Sequence, residues 1–138
     1  MNKLKIVLFV SLIVFSLSVT AKEVVDCAFK QIGQIYPRPP GRKFDSPELA
    51  YYCHKKSIPN TSQAQASRNK IKIIDKRPGD LLFFYCSIKG KGTFLHTVIY
   101  VGNDEFIEIS LFISNSRKQK INPEYCGGKI ISASRYWK

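Results

Sequence analysis

The spacing of apolar residues changes once along this chain, near residue 69, and that change limits the fold to one class. Between residues 23 and 35, Val24, Val25, Ala28, Phe29, Ile32 and Ile35 recur at three- and four-residue steps, the spacing of one face of a helix. Gly33 and Tyr36-Pro37-Arg38-Pro39-Pro40-Gly41 end that pattern, since proline fixes an extended backbone and removes a donor. A second helix is expected from Asp45 or Ser46 to about Lys56. Pro47 suits its first turn, Glu48 favours its positive end, and Asp45 or Ser46 can cap it. A turn at 58–62 leads into a short polar helix over 62–68. Beyond it come strand-length segments at 70–74, 81–86, 94–101 and 105–110, with two more near 111–114 and 129–134. Arg77-Pro78-Gly79-Asp80, Lys89-Gly90-Lys91-Gly92 and Gly102-Asn103-Asp104 supply turns between them. Helices first and strands afterwards predict an α+β domain with N-terminal helices packed on an antiparallel β-sheet.

The N-terminus reads as a secretory signal peptide over 1–21: Lys3 and Lys5, an apolar run over 6–19, then Val19-Thr20-Ala21 at the cleavage position. The run is shorter than the roughly 20 residues that span a bilayer, so no integral membrane segment is expected after cleavage. Residues 22–138 then form one secreted domain. The formal charge of the whole chain is +12, and removing Lys3 and Lys5 leaves +10, which draws the domain to anionic surfaces such as cell walls, phospholipid or polyanionic glycans. No nucleic-acid motif accompanies the charge, and no amphipathic basic helix marks a membrane-active peptide. Cys27, Cys53, Cys86 and Cys126 form an even set in an oxidising compartment, so two disulfides are expected, with all three pairings open. No two of them have the spacing of a zinc ligand pair and only His54 and His96 could join them, so neither metal nor other cofactor is expected.

The chemistry rests on a hydroxyl at the start of the second helix, Ser46, and an imidazole on a strand, His96. A helix N-terminus favours a developing negative charge, and a strand fixes a proton-accepting histidine more rigidly than a loop does. Cys53 follows Ser46 by seven residues, two turns away from the helix start, and is read as a disulfide partner. His54 beside it is expected to face solvent.

Five segments in register resemble the NlpC/p60 peptidoglycan endopeptidases: Tyr36; Phe44-Asp45 with Leu49; Ile58-Pro59 with Thr61-Ser62 and Gln65; Pro78-Gly79-Asp80-Leu81 with Phe83-Phe84; and His96 with Ile99-Tyr100 and Gly102-Asn103. The resemblance implies a papain-like fold, a cleft where the Ser46 helix meets the His96 strand, and cleavage of bacterial peptidoglycan stem peptides next to D-γ-glutamyl bonds. It implies Ser46 at the nucleophile position, His96 as base, Glu108 as the group that orients the imidazole, and Tyr36 with Asp45 at the substrate. Ser46 stands where the family has its cysteine, Pro47-Glu48 replace Ser-Gly, Thr97-Val98 replace Val-Gly, and Glu108 replaces a residue that is often histidine. Ser46 therefore reads as a helix cap, as a reactive serine, or as an introduced exchange, against which Pro47-Glu48 speaks. An alcohol ionises well above a thiol and needs His96 as general base. Pro47 lacks an amide hydrogen and so supplies no donor to an oxyanion hole. Glu108 shares the face of His96 only if the connecting hairpin contributes an odd residue count. Two functions follow: a degenerate or serine-variant endopeptidase, or a catalytically inactive module that binds wall fragments.

Overall fold

The structure, a computed structural model, describes residues 18–34, 45–90, 92–110, 115–122, 124–127 and 129–138. Helix α1 (Ala21–Lys30) opens on a capping box, in which the Thr20 hydroxyl accepts from the Glu23 amide and the Glu23 carboxylate accepts from the Thr20 amide. It ends before the apolar spacing does, because Gly33 takes a left-handed φ of 81° and donates its amide to Ser116 O, pairing this stretch with the sheet instead. Phe29, within α1, and Ile32, beyond its end, were counted in the apolar face and are exposed.

Helix α2 (Ser46–Cys53) is capped by Asp45, whose carboxylate accepts from the Glu48 amide at 3.3 Å. Lys55 and Lys56, at φ 53° and 60°, turn the chain out of the helix three residues earlier than the expected end at Lys56. That turn folds His54 inward. Expected at the surface, it is fully buried, with Nδ1 donating to Ala50 O at 2.7 Å and its ring edge-on to Tyr136. Helix α3 (Ser62–Ala66) is capped by Thr61. A disulfide between Cys27 and Cys53 ties α1 to α2.

Six strands form one antiparallel sheet in the order β1-β6-β2-β3-β4-β5: β1 (Lys70–Ile71), β2 (Leu81–Ile88), β3 (Gly92–Gly102), β4 (Glu105–Ile109), β5 (Ser116–Lys120) and β6 (Ile130–Ser134). Short 3-10 turns cover Ile73–Asp75, cutting the expected strand over 70–74 to two residues, and Tyr125–Gly127. The strand expected at 111–114 lies outside the described residues. Strand β5, Ser-Arg-Lys-Gln-Lys, has no apolar alternation to reveal it; it is an edge strand, and charge there discourages pairing with another chain.

Side-chain alternation gives the sheet two apolar faces. Leu81, Phe83, Ile99, Ile107 and Ile109 pack with Val24, Ala28, Leu49 and Ala50 of the helices. Leu82, Phe84, Val98, Tyr100, Phe106 and Ala133 form the second face, closed by Tyr125 and Cys126, the latter joined to Cys86 by the second disulfide. The Pro78-Gly79-Asp80 turn secures the C-terminal segment. Asp80 is fully buried and accepts from Arg135 Nε (2.9 Å) and Nη2 (2.8 Å), from Trp137 Nε1 (2.7 Å) and from the Arg77 amide (2.7 Å). Among the described residues no helix is long and apolar enough to cross a membrane.

Candidate functional site

The site lies where β3 and β4 part. Their ladder runs through Gly102↔Glu105, Tyr100↔Phe106 and Ile99↔Ile107 and stops there, while Glu108 and Ile109 continue to pair with β5. The Ser46 hydroxyl enters at this point. It accepts from the Ile109 amide at 2.8 Å and donates to Ile109 O at 3.3 Å, so one side chain takes up backbone groups that β3 would otherwise satisfy. Ser46 is 2% exposed. Its capping role passes to Asp45, because Ser46 is the first helical residue and its hydroxyl is turned to the sheet.

His96 stands opposite Phe84 in the β2–β3 register, and its Nε2 is 2.7 Å from Glu108 Oε2. The hairpin makes this contact possible. Asn103 and Asp104, at φ 53° and 55°, form the two-residue connection of a type I′ turn, and a register shift at Val101 adds one residue to the β3 side. The two together supply the odd offset that puts Glu108 on the face of His96. Ser46 and His96 thus make their hydrogen bonds to adjacent residues of one strand, Ile109 and Glu108, and none with each other.

Glu108 is 1% exposed and has two further partners that sequence reasoning missed. Arg117 Nε donates to Oε1 at 3.0 Å from directly across β5, and the Tyr125 hydroxyl donates to Oε2. Burial pushes the Glu108 carboxyl up, but the hydrogen bonds from His96, Tyr125 and Arg117 outweigh it and hold the carboxyl below its ordinary range. Burial, reinforced by the Glu108 charge, drives the Tyr125 phenol far above its usual value, so it remains a donor. The Tyr125-Cys126 dipeptide was the available signal for Tyr125, since a disulfide fixes the residue beside it. Arg117 was hidden by the unreadable register of β5.

Beneath the site, Gln65 is fully buried and joins α2, α3 and β3. Its amide nitrogen donates to Pro47 O (2.9 Å) and Pro59 O (2.8 Å), and its carbonyl accepts from Thr97 Oγ1 (2.9 Å), which also lies 2.7 Å from Ser62 Oγ. Gln65 is therefore a brace of the α2 start, and Thr61 caps α3. A cleft of about 350 Å³ opens at the heads of α2 and α3, lined by Asp45, Pro47, Glu48, Thr61, Ser62 and Leu95, the neighbour of His96. A larger cavity, about 600 Å³, lies between α1 and α2 beside the Cys27–Cys53 bridge and holds none of the site residues. Tyr36, expected in the cleft, lies outside the described residues. Among the described residues no cluster of His, Cys, Asp and Glu could hold a metal ion.

Solved structures share this architecture. An NlpC/P60 family protein from Bacillus cereus superposes with a TM-score of 0.69 at 22% identity, covering 88% of this chain and 41% of that one. NlpC2 from Trichomonas vaginalis gives 0.69 at 23% identity, covering 86% and 46%. The peptidoglycan hydrolase RipB from Mycobacterium tuberculosis gives 0.65 at 20% identity, covering 86% and 65%. The chain thus spans less than half the length of the first two. The comparison with curated proteins returned no match. The NlpC/P60 profile matches residues 23–135, nearly the whole of the described domain, and by that match the chain belongs to the NlpC/P60 family.

Proposed function

We propose that this is an exported NlpC/P60 domain that holds peptidoglycan stem peptides in the cleft beside Ser46 and His96 without hydrolysing them. The observation that carries the reading is the Ser46 hydroxyl, committed to Ile109 as both acceptor and donor. Attack on a carbonyl needs its proton handed to a base in hydrogen-bond reach, and this oxygen has no such bond to His96. Serine ionises far less readily than the thiol the family uses there, and Pro47 contributes no amide to an oxyanion. Binding has independent support in the cleft at the helix heads, in the net charge of +10 that remains once Lys3 and Lys5 are removed, and in the cell-wall role named for RipB. The two disulfides are compatible with an oxidising, extracellular location.

One observation favours a second reading, a serine-variant endopeptidase. The buried His96–Glu108 contact at 2.7 Å keeps the oriented imidazole that acyl transfer requires. In that mechanism Ser46 attacks, His96 takes the proton and returns it to the leaving amine, and Glu108 steadies the imidazolium. No metal or organic cofactor enters either reading.

Incubation with purified peptidoglycan, followed by mass spectrometry of released fragments and a pull-down of bound protein, separates the two. The expected result is no release by the native protein or Ser46→Ala, with both retained on the wall. Release by the native protein that Ser46→Ala abolishes would replace this reading with the serine enzyme. Release gained only by Ser46→Cys would mark the His96–Glu108 pair as still competent.

A further inference from the structure

The folded domain begins earlier than the Ala21 boundary read from the sequence. Val19 is 1% exposed and belongs to the apolar core that α1 and α2 make with the sheet. Its carbonyl accepts from the Lys138 amide at 2.9 Å, so this residue fastens the C-terminal segment. Thr20 takes part in both bonds of the α1 capping box, its hydroxyl accepting from the Glu23 amide and its amide donating to the Glu23 carboxylate. Ala21 packs so closely on Gly79 that a Cβ at Gly79 would stand 3.2 Å from the Ala21 Cα. Cutting after Ala21 would remove a core side chain, a helix cap and a tether at one stroke.

Resting on the reading that the chain is exported, we infer that signal peptidase cuts the Ser18–Val19 bond, so that Val19 is the first residue of the mature protein. Ser16 and Ser18 place small residues at the two positions that a signal peptidase reads, as Val19 and Ala21 do for the later bond. Water adds across the amide: the C–N bond breaks, Ser18 departs with the new carboxylate and Val19 keeps the new ammonium. The structure favours this bond over the later one because Val19 lies in the core, Thr20 caps α1 and the Val19 carbonyl holds the Lys138 amide, and all three are kept by this cut.

The test is export of the full-length chain from a secreting host, with the intact mass and N-terminal sequence of the released protein. A mature protein starting at Val19 is expected. Ser18→Leu should abolish that form, and Ala21→Gln should leave it unchanged. A start at Lys22, or at any other residue, overturns the inference while leaving export intact. So does loss of processing in Ala21→Gln but not in Ser18→Leu. A chain that stays cell-associated with its leader uncut overturns the export reading itself, and this inference with it.

Discussion

Glu108 owes its place to its donors. A carboxylate at 1% exposure would ordinarily take up a proton, yet His96, Tyr125 and Arg117 keep it ionised, and it in turn holds the imidazole. Glu108 thus comes with its own set of donors, Tyr125 and Arg117 beside His96. Tyr125→Phe leaves the ring in its contacts with Phe84 and Phe106 and removes only the hydroxyl. A hydrogen bond to a buried charge contributes about 1.5–3 kcal/mol, so this variant is expected to lose about that much stability in urea unfolding. A loss under ~0.5 kcal/mol would mean that Glu108 does not depend on Tyr125. At this scale Ser46, His96 and Glu108 were legible as candidates, because residue type and position in the chain single them out, and the structure brings His96 and Glu108 into contact. Tyr125 and Arg117 were not, since their contact with Glu108 depends on a disulfide and on a strand register that local spacing does not encode.

Among the elements, the α2 start is held by contacts from three directions: Asp45 at its cap, Gln65 on Pro47 O, and Ile109 on Ser46. Gln65→Leu keeps the volume and leaves the buried Pro47 carbonyl, the half-buried Pro59 carbonyl and the Thr97 hydroxyl without that partner, a cost of about 2–4 kcal/mol in chemical unfolding. The second disulfide is an element-scale device too, bridging 40 residues and pinning the Tyr125 turn to β2. Opening it through Cys86→Ser with Cys126→Ser is expected to cost about 2–4 kcal/mol by the same measurement. In the double variant the further exchange Tyr125→Phe should then have a smaller effect than in the native protein. Equal effects would show that the turn holds Tyr125 without the bridge. The helix starts were readable because Pro47, Thr61 and Asp45 act locally. The ends of α1 and α2 were misjudged because a left-handed Gly33 and the Lys55-Lys56 turn answer to tertiary partners. Strand β5 escaped notice because an edge strand has little apolar pattern to read.

For the molecule as a whole, two buried groups set the response to acid. Burial depresses the His54 imidazole, and its bond to Ala50 O only partly opposes this. As pH falls through about 6.5, the ordinary imidazole value, the unfolded chain takes a proton that the folded chain refuses, and stability declines. The Glu108 carboxyl is also depressed, so a second decline begins as pH falls through about 4.5, its ordinary value. Urea midpoints measured from pH 8 to pH 4 should therefore fall in two stages, and His54→Leu should remove the upper one. A flat profile between pH 7 and 5.5 in the native protein would contradict the burial of His54.

The Asn103-Asp104 hairpin carries a constraint on how this family member can diverge. Its tip is open to exchanges among residues that tolerate positive φ, but its length is not free. Deleting the extra residue at Val101 would shift the parity of everything downstream, delivering a carboxylate to the helix side of the sheet and an isoleucine to the imidazole. Lineages of this protein should accordingly accumulate substitutions at that tip while gaps and insertions there are purged.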